Sequence, residues 1–120
     1  MRILNIICDM QDNGLTPNAA KRIEENGHSI DVWQFGTSDI DSHEKYFAEA
    51  IEVLDDCALV IIRVHAGLTY FKKFDRLKEE ISKRGVSLIV QSELPEDVRE
   101  NRTLFRGSEE DYVTIRTYIV

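Results

Sequence analysis

Cys57-Ala58-Leu59-Val60-Ile61-Ile62 is an unbroken run of six apolar residues, half of them β-branched. A run that does not alternate has no polar side to offer water, so it reads as a strand covered on both faces. The same signature recurs at Ile3 to Cys8, interrupted only by Asn5, and at Val86 to Val90. Strands of this kind belong to parallel sheets, in which the chain must cross back over the sheet between one strand and the next. The intervening segments therefore have to carry the covering layers.

Their patterning fits that role. Thr16-Pro17 reads as an N-cap followed by proline at the first helical position, and the helix runs through Ala19, Ala20 and Ile23 to a glycine cap at Asn26-Gly27. His28 to Phe35 forms a second strand, with Ile30 and Val32 on one side and Trp33 and Phe35 on the other. Asp41 with Glu44 resembles a capping box opening a helix over about Ser42 to Asp55, whose stripe is Phe47, Ala50, Ile51 and Leu54. After the central strand, Arg63 to Gly67 reads as a loop. A long helix then runs to Arg84, with Phe71, Phe74, Leu77 and Ile81 inward and Gly85 as its cap. Pro95 opens a short helix to Asn101, and Ser108 with Asp111 opens the last one. The order β-α-β-α-β-α-β-α-α predicts an α/β domain over residues 1–120. Its expected architecture is an open parallel four-stranded sheet in a flavodoxin-like or Rossmann-like three-layer sandwich, with strand order 2-1-3-4.

Charge and composition remove several function classes. With 22 acidic against 15 basic residues the net charge is −7, and a clustered basic face for nucleic acid is not expected. The densest basic stretch, Lys72-Lys73 through Lys83-Arg84, is interleaved with Asp75, Glu79 and Glu80 and reads as a solvated helix face. No apolar run approaches the roughly 20 residues needed to span a bilayer, and the opening segment is too short for a signal peptide. A cytoplasmic protein is the expectation. Cys8 and Cys57 lie in apolar stretches and read as buried thiols, and no Cys/His spacing suggests a metal site. There is no G-x-x-x-x-G-K-[ST] or G-x-G-x-x-G motif, and Asp9 to Leu15 holds a single glycine. No nucleotide, flavin or metal is therefore expected to be bound by this domain itself.

Open parallel sheets bind ligands beyond the carboxyl ends of their strands, where the strand order reverses. With order 2-1-3-4 that point lies between the first and third strands. The loops there carry Asp9, Arg63, His65 and Thr69, and Glu93 follows the fourth strand. Arg63 can clamp a carboxylate or bridge to Asp9 or Glu93. His65 can act as a base or metal ligand, or simply bond a backbone carbonyl.

The run Asp55 to Gly67, followed by Thr69-Tyr70-Phe71-Lys72-Lys73-Phe74, resembles the N-terminal region of cobaltochelatase large subunits (the CobN type) and the related magnesium-chelatase large subunits. In both, a strand ending in Arg and a short Gly-containing turn precede a helix opening with an aromatic pair. Val86 to Val90, Pro95-Glu96 and Gly107-Ser108-Glu109-Glu110-Asp111-Tyr112 are also similar to the family's pattern. The resemblance implies the N-terminal part of a longer chain that works in tetrapyrrole or cobalamin biosynthesis. It implies contact with a tetrapyrrole, or with the rest of the subunit and separate AAA+ ATPase subunits, rather than catalysis by this domain alone. ATP and the inserted divalent metal, cobalt, would enter only in the full complex. The ligand edge would be lined by Arg63, His65, Thr69 and Tyr70, with Tyr70 stacking on the ring.

A different reading comes from the last helix. Tyr112, Val113, Ile115, Tyr118, Ile119 and Val120 place apolar groups on more than one of its faces. Tyr112, Tyr118, Ile119 and Val120 are accordingly candidate contacts for a partner, the remainder of the chain or a second copy. On that view the domain is a non-catalytic interaction module.

Overall fold

The computed structural model describes residues 1–8, 15–35, 40–64, 67–68 and 74–119, with side chains described except at 8, 15–17, 32–35, 40–44, 46 and 119. Four strands, β1 (Arg2–Cys8), β2 (Ser29–Phe35), β3 (Leu59–Val64) and β4 (Ser87–Ser92), alternate with helices α1 (Leu15–Glu25), α2 (Ile40–Leu54) and α3 (Phe74–Lys83). Helix α4 (Pro95–Asn101), a 3-10 turn (Arg102–Leu104) and helix α5 (Glu109–Ile119) follow β4. The sheet is all parallel in the order β2-β1-β3-β4, as the alternation of apolar runs and amphipathic helices predicts.

Each of the two central strands feeds both faces of the sheet. Leu4, Ile6, Val60, Ile62 and Val64 point to one side with Leu88 and Val90, and pack against Ala50 and Leu54 of α2 and Phe74, Leu77 and Ile81 of α3. Ile3, Leu59, Ile61 and Ile89 point to the other, against Ala19 and Ile23 of α1, Phe105, and Ile115 of α5. This two-sided burial is why the strands read as continuous apolar runs instead of alternating ones.

Helix ends follow the sequence signals at several places. Gly27 and Gly85 take positive φ, +87° and +68°. At each, the glycine N–H bonds back to Glu24 or Ser82 and the next residue's N–H to Ile23 or Ile81, so α1 and α3 end in the same left-handed motif. Ser108 caps α5 by accepting the Asp111 N–H at 3.1 Å.

Other boundaries depart from the sequence reading. Strand β3 does not stop at Ile62: Arg63 and Val64 remain in the ladder, paired with Ile7 and Cys8 on one side and Gln91 and Ser92 on the other. A charged residue ends an apolar run in sequence but does not end a strand hydrogen-bonded along both edges. Helix α1 begins at Leu15, so Thr16 and Pro17 lie within its first turn, and α2 begins at Ile40, ahead of Asp41. Phe71 lies outside the described residues.

Cys57, just before β3, is a free, buried thiol, and Cys8's side chain is outside the described set. Burial pushes the Cys57 pKa up, Arg2 pulls it partly back, and Asp31 and Asp56 raise it further. A raised folded-state pKa means the folded chain holds the proton more tightly. The associated stability is complete below the unfolded thiol's value of about 8.5 and is lost as pH rises through the folded value. In a Cys8→Ala chain, Cys57 is therefore expected to react with a thiol reagent at pH 8 far more slowly than in denaturant. Equal rates would contradict this assignment.

Candidate active edge of the sheet

β3 delivers Arg63 to the carboxyl end of the sheet. It sits in register between Ile7 of β1 and Gln91 of β4, beside the junction where strand order reverses. By strand alternation its side chain continues the Leu59–Ile61 row on the face covered by α1 and α5. It is only 6% exposed. Desolvation draws its pKa down, yet a guanidinium keeps its proton at neutral pH. A buried cation thus lies at the sheet edge of a chain whose net charge is −7.

Just beyond β3, the chain is held in place by Asp97, in the first turn of α4. Its Oδ2 accepts the Leu68 N–H at 3.0 Å and the Ser92 hydroxyl at 2.8 Å. The Ser92 Oγ in turn accepts the Leu94 N–H at 3.1 Å. One carboxylate oxygen therefore ties the segment after β3 to the end of β4 and the start of α4. A carboxylate in the first turn also suits the positive end of the helix. Gly67 is buried, and a Cβ there would lie 2.7 Å from Leu94 Cδ1, so the absence of a side chain permits the close approach of these two segments.

Replacing Asp97 with Ala is expected to cost about 1–3 kcal/mol, because two donors lose a charged acceptor in a half-buried position. Amide exchange at Leu68 should accelerate before the rest of the domain opens. Unchanged protection at Leu68 would show that the tie does not hold the segment.

Of the residues singled out at this edge, Arg63 is buried and Glu93 is exposed. Asp9, His65, Thr69 and Tyr70 lie outside the described residues. Among the described residues no group of three His, Cys, Asp or Glu is placed to hold a metal ion. Nor is any described helix long and apolar enough to cross a membrane.

In α5, Ile115 is buried, while Tyr112 and Tyr118 pack partly against the core on the α1 side. Tyr112 also meets Phe105 edge-on, with centroids 5.3 Å apart, and the Arg102 guanidinium stacks 3.5 Å from its ring centre. Val113 is 54% exposed. Val120 and the Ile119 side chain are outside the described set.

Comparison with protein-family models, with curated proteins and with solved structures finds no match to this chain.

Two features of the sheet and its edge escape a reading by local pattern. Asp97 is visible only as an acidic residue near the proline that starts α4, and nothing local links it to Leu68, 29 residues away. Asn5 shows only as a break in an apolar run. In the fold it is 1% exposed in the middle of β1, and neither its amide nitrogen nor its oxygen meets a hydrogen-bond partner among the described residues.

Proposed function

We propose that this chain is a tetrapyrrole-chelatase-like domain, the N-terminal part of a cobaltochelatase-type large subunit. It contacts the ring or neighbouring subunits in the cytoplasm and does not insert metal by itself. The observation that carries this reading is the position of Arg63. The segment resembling the chelatase family, Asp55 to Phe74, contains the whole of β3 and its exit, and it brings a buried cation to the edge where open parallel sheets take ligands.

In this reading Arg63 supplies positive charge from beneath the edge, complementary to the carboxylate-rich rim of a corrin precursor. His65, Thr69 and Tyr70 follow it in the segment that Asp97 anchors at Leu68, and they make the direct contacts, Tyr70 against the ring face. Glu93 borders the same edge just after β4, and Asp9 follows β1 in the sequence. ATP hydrolysis belongs to the AAA+ partners, and the divalent metal is cargo of the assembled complex.

The test is a titration of the chain with porphyrin and corrin carboxylates, following Trp33 quenching and ring absorbance. Saturable binding in the micromolar range is expected, selective among rings. It should be weakened about tenfold, or ~1.4 kcal/mol, in Arg63→Met with the circular dichroism unchanged. Equal affinity in Arg63→Met, or no saturable binding to any ring, overturns the reading. Failure to bind rings together with self-association would favour an interaction module instead.

A further inference from the structure

An open surface groove of about 610 Å3 lies between α1, α4 and α5, lined by Arg22, Val98, Tyr112, Val113, Arg116 and Thr117. Its size falls within the usual range for small-ligand sites, roughly 300–1,000 Å3. Its described walls combine two arginines with an aromatic ring and two valines.

The two arginines differ in what they do. Arg22 reaches from α1 and donates through Nη1 to the Thr117 carbonyl at 3.2 Å, tying α1 to the last turn of α5. Arg116 lies on α5 with its guanidinium 6.0 Å from the Tyr112 ring centre. Its Nη1 is buried, and no acceptor among the described residues meets it. An unsatisfied buried donor on a cation is costly, and a carboxylate is the acceptor that matches a guanidinium best.

We propose that this groove is a binding site for a small amphipathic carboxylate. The carboxylate bonds the Arg116 guanidinium and is attracted by Arg22. The apolar body rests on Tyr112, Val98 and Val113. The site rests on different residues from the tetrapyrrole edge and stands or falls independently of it.

Octanoate is the probe, with octanol as its neutral counterpart, read by amide chemical shifts of the isotopically labelled chain. Octanoate is expected to give saturable shifts centred on Val98, Tyr112, Val113, Arg116 and Thr117. Octanol should bind at least about tenfold more weakly, and added salt should weaken octanoate. Arg116→Gln should reduce octanoate affinity about tenfold. Arg116→Lys retains the charge and the aliphatic stem but loses the planar fork. It should fall between the two, which separates lost recognition from lost packing. Octanol binding as tightly as octanoate, shifts centred away from these residues, or affinities unaltered in both Arg116 variants would each overturn the site.

Discussion

Leu77→Ala is expected to lower the stability of the domain by about 2–5 kcal/mol, the range for truncating a fully buried leucine. Leu77 is 0% exposed at the centre of α3, between Phe74 and Ile81 on the same stripe, and it packs on the face formed by Leu4, Ile6, Val60 and Ile62. Those neighbours sit on two hydrogen-bonded central strands and cannot move inward to fill the space. Alanine is a good helix former, so the loss comes from packing and not from helix propensity. Against a total of roughly 5–15 kcal/mol for a domain, this is a large fraction. The midpoint of thermal unfolding should drop by roughly 10 °C or more. A drop of only a degree or two would mean that α3 is not docked on the sheet as described.

The second large effect runs the other way. Asn5→Val is expected to stabilise the domain by about 1–3 kcal/mol, read as a higher denaturant midpoint at unchanged slope. Asn5 lies in β1 between β2 and β3, in register with Val32 and Ile61, and its buried amide meets no partner among the described residues. Desolvating an amide without replacing its hydrogen bonds is unfavourable, and asparagine is also a poor strand residue. Valine removes both penalties, and its bulk is tolerated because the neighbouring rows are already β-branched. A loss of stability on this substitution would show that the amide is satisfied in solution.

These two sites also show what the sequence makes legible. Leu77 is visible at once, because Phe74, Leu77 and Ile81 recur at helical spacing and all three are buried. The apolar runs, with helical segments between them, likewise point to the parallel sheet, and right-handed crossovers narrow the topologies it can take. The glycine caps at Gly27 and Gly85 are legible for the same local reason.

The carboxyl edge of the sheet is less so. Arg63 is recognisable as a charge ending an apolar run, but its retention in β3 depends on ladder bonds to β1 and β4. The Asp97 tie to Leu68 and Ser92 joins three segments that are adjacent only after folding. Arg116 reads in sequence as an ordinary helix-surface cation. Its buried Nη1 becomes apparent only once α5 lies beside α1 and α4.

The central claim is that the carboxyl edge of the sheet around Arg63 is where this domain meets its ligand. The most direct measurement is amide chemical-shift mapping of the full chain with the tightest-binding ring from the titration. Shifts concentrated at Arg63, Gly67, Leu68, Ser92 and Glu93, with Met1, His28, Cys57 and Gly85 at the opposite edge unmoved, are the predicted result. Shifts confined to that opposite edge, or spread evenly over the molecule, would contradict it.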